Sequence, residues 1–459
     1  MSNKQIIQQQ LKQAFGGKAV DVVGLGISNL PLIDVLLDAG AAVTARDRRD
    51  EAHFEKETAD ALRAKGVRLI LGDRYLDSIK GETVFRSPGL RPDLPAFEQA
   101  KAAGASLTSE MELFLSLCPA KTVGITGSNG KTTTTTLTHR FLEASGKRAY
   151  LGGNIGRPLL PQVFEMTEDD FAVLELSSFQ LFGMKHSTER ALITNLSPNH
   201  LDYHTDMDEY VAAKKAIYQN RENKRLILNG SDERTPLLVK EAAGRVSFFN
   251  SDEAHGGVYE KDGMIFCNGK AVLPASSILL RGRHNAENYM AAIALTEGDA
   301  DQAVIEPIAK TFAGVEHRLE FVEKVRGVSY YNGSIDSSPS RTAAALSAFD
   351  ERLVVICGGY DKHIPYEPLG APLCEKARVL ILTGATGLKI REAVISCPSY
   401  DPNKTAIFEE ADLEAAVKRA SKEAKEGESV LLSPASASFD AFKNFEERGR
   451  AFKSYVRAL

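Results

Sequence analysis

The sequence predicts an α/β protein built from three consecutive blocks, each a mostly parallel sheet covered by helices. Three observations carry this. Short β-branched runs alternate with helix-length amphipathic segments along the 459-residue chain, the order expected of βαβ units. The most apolar runs are strand-sized and end in Gly, Ser, Asn or Pro, so turn residues collect where open α/β sheets place ligands. The length also suits about two to four domains of ordinary size.

In the first block, residues 19–24 form a strand that runs into Gly24-Leu25-Gly26-Ile27-Ser28-Asn29. A helix follows with Pro31 in its first turn, where a missing N–H costs little, and Gly40 at its end. Residues 42–45 are the next strand and deliver Asp47; residues 67–71 and 83–85 are two more, the latter ending in Ser87-Pro88-Gly89. The second block opens with a strand at 122–125 and a glycine-rich loop. It continues with strands at 171–176 and 192–195, a helix from about 208 to 220, a Gly- and Asn-punctuated meander at 258–272 and a helix at 285–296. The third block follows Gly314, with strands at 353–357, 379–382 and 430–432. Block boundaries fall near residues 110 and 314.

Composition excludes several function classes. A formal net charge of −5 argues against a nucleic-acid binder, whose affinity rests on clustered Lys and Arg. No run approaches the length of a membrane span, and residues 1–15 are Gln-rich without an apolar signal core. The five cysteines are dispersed with no CxxC pair, which points to the reducing cytoplasm and to small buried hydrophobes.

The strongest motif is Gly127-Ser128-Asn129-Gly130-Lys131-Thr132-Thr133. It follows a strand and enters a helix, so its backbone N–H groups point together at an anion. Lys131 would supply a point charge to the outer phosphates and Thr132 an oxygen for Mg²⁺. The glycine of the longer standard loop is replaced by Ile125. The dull reading is a polar first turn rich in capping hydroxyls, but the threonines Thr132 to Thr136 are not explained by helix propensity. Glu175 and His200 follow other strands of the block at the same edge, where a carboxylate and substrate oxygens suit Mg²⁺. The Gly24-Leu25-Gly26 segment with Asp47 is an incomplete dinucleotide fingerprint, because Asn29 stands at the third glycine. It is either a plain βα turn or a phosphate-docking helix start.

Together, residues 126–133, Glu175, residues 195–200 and Arg283-His284-Asn285-Ala286-Glu287-Asn288 resemble the Mur ligases of peptidoglycan synthesis. Residues 432–440 and 442–449 resemble the D-glutamate-adding branch of that family. The resemblance implies a Rossmann-like N-terminal domain for the UDP-substrate at 1–110, a central P-loop ATPase-like domain at 111–314 and a C-terminal Rossmann-like, amino-acid-binding domain at 315–459. The expected reaction phosphorylates the alanyl carboxylate of UDP-N-acetylmuramoyl-L-alanine with ATP. The amine of D-glutamate then attacks the acyl phosphate, and ADP and phosphate leave. The resemblance further implies a monomeric cytoplasmic enzyme that binds neither nucleic acid nor membrane.

Carried over residue by residue, Lys131, His200 and Lys214 are catalytic. Thr132 and Glu175 would hold one Mg²⁺, and His200 with Lys214, carbamylated, a second. Gly127, Ser128, Asn129, Gly130, Lys131, Thr132, Thr133, Asn285, Asn288, His317 and Arg318 would bind ATP. Leu25, Gly26, Ile27, Ser28, Asp47, Arg48, Ser87, Pro88, Gly89 and Asn154 would bind the UDP-substrate, and Lys362, Ser438 and Phe445 D-glutamate. One departure stands out: where the family reads Asn-Asp-Ser, this chain reads Asn332-Gly333-Ser334, with an aspartate at 336. Either the nucleotide contact is lost or Asp336 replaces it, since glycine at 333 frees the backbone path; the loss is favoured, because three residues along a loop is far to carry a carboxylate.

Three rivals are weaker. A dehydrogenase leaves Lys131 and the third block unexplained, and a nucleotide switch needs no substrate residues at 362 and 438. The nearest is another amide ligase of the family, adding a different amino acid or extending folate; the Asp-Asn-Pro-Arg signature expected of the diamino-acid-adding member is absent.

Overall fold

The computed structural model describes residues 2–200, 203–220, 222–242, 244–280, 282–361 and 364–459. The α/β class holds: three sheets, largely parallel, with helices between their strands. The chain divides into two compact units, Met1–Ile278 with Arg283–Lys310, and Leu279–Gly282 with Thr311–Leu459.

The first unit holds two sheets. The N-terminal one consists of β1 (Ala19–Val23), β2 (Ala42–Asp47), β3 (Arg68–Leu71), β4 (Thr83–Arg86) and β5 (Ser106–Thr108), all parallel in the order β3-β2-β1-β4-β5. The order reverses between β1 and β4, so the loops after these strands flank the crevice where such sheets bind ligands. Ahead of β1, the helix Asn3–Phe15 buries Ile7, Leu11 and Phe15, spaced one turn apart, and starts on a capping box between Ser2 and Gln5.

The second sheet comprises β6 (Lys121–Thr126), β7 (Ala149–Gly153), β8 (Phe171–Glu175), β9 (Arg190–Ile193), β10 (Arg225–Asn229), β11 (Arg245–Phe249), β12 (Val258–Lys261), β13 (Met264–Cys267) and β14 (Lys270–Pro274). Its order is β14-β13-β12-β11-β10-β9-β6-β8-β7, antiparallel only at the β12–β14 end, where the meander was expected. β6 lies between β8 and β9, so three strands deliver their carboxyl ends to one edge. The helix read as 208–220 is Met207–Lys215. It stops early because the Ser187 hydroxyl donates to the Ala216 carbonyl (2.7 Å) and accepts from the Asn220 N–H (2.9 Å), bending the chain away.

The two sheets of this unit are joined by charged side chains. The Arg86 guanidinium donates to the carbonyls of Leu90, Phe179 and Phe182, and Glu112 accepts the Lys185 N–H at 2.9 Å. Arg91 makes a fork onto Glu209 at 2.8 and 3.0 Å and holds its carboxyl down at about 2.

The second unit contains β15 (Glu320–Val325), β16 (Val328–Asn332), β17 (Leu353–Gly358), β18 (Ala377–Thr383), β19 (Ala406–Glu409) and β20 (Ser429–Leu432), in the order β15-β16-β20-β17-β18-β19. Only β15 is antiparallel. Both faces are covered: Val355, Cys357, Leu380, Leu382 and Leu431 enter one core, and Val354, Ile356, Val379, Ile381, Val430 and Leu432 the other. That two-sided burial is why these strands read as continuous apolar runs.

Candidate active site

Gly127 and Gly130 make the loop between β6 and the helix Lys131–Ala144 possible. Their φ angles are 140° and 79°, and a Cβ on either would collide with Thr194 or Asn288. The loop is held from below by the segment after β9. The Ser128 N–H donates to the Asn195 carbonyl (2.9 Å), the Asn129 N–H to Asn195 Oδ1 (3.0 Å), and the Thr194 hydroxyl to the Asn129 carbonyl (2.6 Å). The Ser128 hydroxyl donates to the Ser197 carbonyl (2.8 Å), accepts its N–H (3.0 Å) and lies 2.9 Å from the Tyr210 hydroxyl.

Lys131 Nζ donates to the carbonyls of Gly127 and Ser128 at 2.9 and 3.0 Å, so its cation lies over the loop it begins. The threonine run is absorbed locally. Thr135, Thr136 and Thr138 each return a hydroxyl to the carbonyl four residues back, and Thr134 reaches Asn288 Oδ1 at 3.3 Å. Thr132 is buried and Thr133 half-buried in the first turn. Asn288 also donates to Asn285 Oδ1 at 3.2 Å, which brings both asparagines of the helix Arg283–Thr296 to the start of the loop helix.

Lys214 is buried to 1% exposure, its Nζ donating to the Gly127 carbonyl (2.9 Å) and the Thr126 hydroxyl (3.2 Å) and lying 4.6 Å from the Tyr210 ring. Burial, and next the Lys131 charge, push its pKa far below the ordinary lysine value. Glu175 ends β8, buried; Oε1 accepts the Asn154 amide at 2.9 Å, while Oε2 has no hydrogen-bond partner. An orphaned buried carboxylate oxygen fits a cation ligand. His200 is exposed, has φ 55° and packs 4.8 Å from the Phe179 ring. Among the described residues no three His, Cys, Asp or Glu side chains converge, so the expected ligands form no ready-made protein cage. Mg²⁺ needs none, because it takes one or two carboxylates with substrate oxygens.

At the first sheet, Asp47 ends β2 and accepts the Leu25 N–H at 2.7 Å. Arg49, absent from the expected set, grips the same carboxylate through two nitrogens (2.9 and 3.0 Å) and donates to the Leu25 carbonyl (2.9 Å). Asn29, in place of the third glycine, donates its amide to the Gly24 carbonyl at 2.8 Å and locks the turn. Gly26, Ile27 and Ser28 lie in that turn, with Ile27 largely exposed, and Arg48 projects outward after β2. Ser87, Pro88 and Gly89 follow β4, with the Pro88 carbonyl taken by the Tyr203 hydroxyl at 3.2 Å.

In the second unit, His317 is buried with φ 65°, its Nδ1 3.0 Å from the Asn332 amide and its ring 5.9 Å from Phe445. Burial lowers its pKa, so it rests neutral. Arg318 beside it is exposed. Ser438 is buried in the segment after β20, and Phe445 opens the helix Phe445–Arg457, its carbonyl accepting the Ser334 hydroxyl at 2.8 Å. Lys362 lies outside the described residues. Arg448, missed from sequence, is buried and donates to the carbonyls of Ser334 (2.9 Å), Ser436 (3.1 Å) and Ala437 (2.9 Å), fixing this segment. Ala435 within it has φ 55°. Non-glycine residues in the left-handed region cluster at functional segments, and His200, His317 and Ala435 each lie in one of the motifs.

At the departure, a turn brings Asp336 back to Gly333. The Asp336 N–H donates to the Gly333 carbonyl at 2.9 Å, and the turn folds the Asp336 carboxylate back. A Cβ on Gly333 would sit 2.6 Å from Asp336 Oδ2. The loop distance that argued against substitution is thus removed by one turn. Asp336 accepts the Ser433 hydroxyl at 2.8 Å, and burial raises its pKa to about 6.

Comparison with known proteins agrees with this geometry. Residues 125–296 match the Mur ligase middle domain, and residues 317–436 the Mur ligase, glutamate ligase domain. The UDP-N-acetylmuramoylalanine–D-glutamate ligase of Clostridium novyi is 48% identical over 453 residues, covering 98% of this chain and 99% of that relative. Its counterpart in Acetivibrio thermocellus is 45% identical, over 98% of each chain. Among solved structures, UDP-N-acetylmuramate-alanine ligase MurC of Thermotoga maritima matches with TM-score 0.56 at 18% identity, over 96% of this chain and 99% of that one. MurF ligase of Thermotoga maritima in complex with ADP matches with TM-score 0.51 at 17% identity, over 97% of each. Domain matches across the ATP-loop and C-terminal sheets, and near-half identity to full-length relatives, place this chain in the Mur ligase family.

Proposed function

We propose that this chain is an ATP-dependent amide ligase that joins D-glutamate to UDP-N-acetylmuramoyl-L-alanine, giving UDP-N-acetylmuramoyl-L-alanyl-D-glutamate, ADP and phosphate in peptidoglycan precursor synthesis. The observation that carries the reading is the phosphate loop with buried Lys214 beneath it and Glu175 at the same strand edge. A carboxylate is a poor electrophile, and phosphorylation gives it a good leaving group. The protein's part is to position the groups and stabilise charge on the phosphoryl oxygens.

In this reading residues 1–110 hold the UDP-substrate, 111–314 the ATP and 315–459 the amino acid. Leu25, Gly26, Ile27, Ser28, Asp47, Arg48, residues 87–89 and Asn154 take the UDP-substrate, with Arg49 orienting Asp47. Residues 127–133, Asn285, Asn288, His317 and Arg318 take ATP, and Lys362, Ser438 and Phe445 take D-glutamate. A neutral amine is the form that adds CO₂, and the burial that lowers the Lys214 pKa favours that form, in keeping with carbamylation into an anionic oxygen ligand. Thr132 and Glu175 would hold one Mg²⁺, and His200 and carbamylated Lys214 a second. When bound, the metal supplies neutralisation of phosphate charge. Lys131 steadies the transferred phosphoryl group. The enzyme acts as a monomer in the cytoplasm; among the described residues no helix is long and apolar enough to cross a membrane.

The test is ADP release with UDP-N-acetylmuramoyl-L-alanine and a panel of D- and L-amino acids. Turnover with D-glutamate alone is expected. Preference for another amino acid, or ATP hydrolysis without amide product, would overturn the assignment.

A further inference from the structure

Two thiols that the ligation chemistry does not use meet between two helices of the second unit. Cys374 lies in the last turn of the helix Glu367–Lys376, and Cys397 follows the helix Gly387–Ile395 by two residues. One carbonyl joins them: the Cys397 N–H donates to Val394 O at 3.1 Å, and the Cys374 thiol lies 3.7 Å from the same oxygen. Gly370, one turn before Cys374, lets the elements approach closely. A Cβ there would stand 3.4 Å from Cys397 Cβ and collide with the Ala393 carbonyl. Cys374 stands one turn beyond Gly370 on the same helix face, so the close approach at Gly370 brings Cys397 alongside Cys374, the neighbourhood from which a disulfide, with Cβ atoms about 3.5–4.5 Å apart, forms.

The thiols differ in access. Cys374 is 8% exposed, and burial pushes its pKa up. Cys397 is only half-buried, unlike the small buried hydrophobe expected from sequence, and lines a cavity of about 600 Å³ with Tyr366, Glu367, Lys389 and Glu392. The Ser399 hydroxyl stands 3.2 Å from its sulfur, and bonds from Ser399 and Cys374 bring its pKa below the ordinary thiol value. An accessible thiol whose anion is favoured, beside a buried partner thiol, is the arrangement of a redox-reactive pair.

We propose that Cys397 and Cys374 form a dithiol modification site that a small hydroperoxide entering this cavity converts to an intramolecular disulfide. The Cys397 thiolate attacks the terminal peroxide oxygen, the O–O bond breaks, and the alkoxide leaves with a proton as an alcohol, or as water from hydrogen peroxide. The resulting sulfenic acid is attacked by Cys374. The S–S bond forms, and the sulfenic hydroxyl departs as water with the Cys374 proton. Two thiols are oxidised and one peroxide is reduced.

The test uses the full-length protein, reduced, freed of reductant and exposed to hydrogen peroxide. Titration under denaturing conditions should show the five thiols fall to three (5 − 2 = 3), restored by dithiothreitol, with peptide mapping locating the bond at Cys374–Cys397. In Cys374→Ser, dimedone should label Cys397; in Cys397→Ser, no cross-link should form. Survival of all five thiols, a bond between other cysteines or a link between two chains would each overturn the proposal. The wild-type mapping decides the matter even if a variant does not fold.

Discussion

Asp336→Asn should make the protein more stable near neutral pH while weakening ATP binding. The carboxyl is buried and its pKa rises from 3.8 to about 6, chiefly through burial. Below about pH 3.8 it is protonated in both folded and unfolded chains and carries no penalty. As pH rises toward 6 the unfolded chain releases its proton first, so the folded state loses stability across that window. The displacement corresponds to roughly 3 kcal/mol lost above pH 6. Asparagine keeps an acceptor for the Ser433 hydroxyl, 2.8 Å away, and removes the charge. Urea midpoints of wild type and variant should therefore diverge in favour of the variant from about pH 4 to 6 and stay apart above it. Gly333→Asp should lose about 1–3 kcal/mol, since its Cβ would lie 2.6 Å from Asp336 Oδ2 and 2.7 Å from the Leu432 carbonyl. Titration calorimetry with a non-hydrolysable ATP analogue completes the set. Loss of one hydrogen bond at Asp336 means affinity weaker by about two- to thirteen-fold. A stability difference independent of pH would refute the burial argument. Tighter ATP binding by Gly333→Asp would refute the view that Asp336 stands in for the aspartate the family carries at 333.

The other predictions concern the phosphate loop and its floor. Lys131→Ala should abolish ADP release while the loop, held by its own backbone bonds to Asn195, keeps its fold; near-normal turnover would remove the lysine from the chemistry. Lys214→Arg should be inactive, and wild type should lose activity on bicarbonate depletion; full activity of the arginine variant would return Lys214 to a structural role. Asn195→Ala should raise the KM for ATP several-fold at an unchanged KM for D-glutamate, since Asn195 Oδ1 fixes the Asn129 N–H. Equal changes in both would mean a general loss of fold. Glu110→Gln should flatten the pH dependence of stability between about 4.5 and 7, where burial drives the wild-type carboxyl to about 7 and the fold loses stability as pH rises; an unchanged slope would show that Glu110 is hydrated.

The sequence by itself determined the features that rest on neighbouring residues. Strands buried on both faces, such as β17, β18 and β20, announce themselves as unbroken apolar runs, and residues 127–131 carry the pattern expected of an anion-binding loop in two glycines and a lysine. The strands it concealed were the polar or short ones. β10 (RLILN) and β11 (RVSFF) carry three apolar residues each but open on arginines and are interrupted by Ser247 or closed by Asn229, so no long run marks them. β7 ends in two glycines, which read as punctuation. Only the tertiary structure decided which distant groups touch. Asp47 and Arg49 both close on Leu25 because β2 ends beside the turn after β1, and Asn195 supports Asn129 because β9 is registered against β6. Cys374 reaches Cys397 because Gly370 lets their elements approach, and Asp336 reaches Gly333 because a turn reverses the chain between them. Each of these contacts is set by strand register, helix approach or a local φ. One-dimensional spacing carries no record of those quantities, because folding fixes them through packing of the whole core.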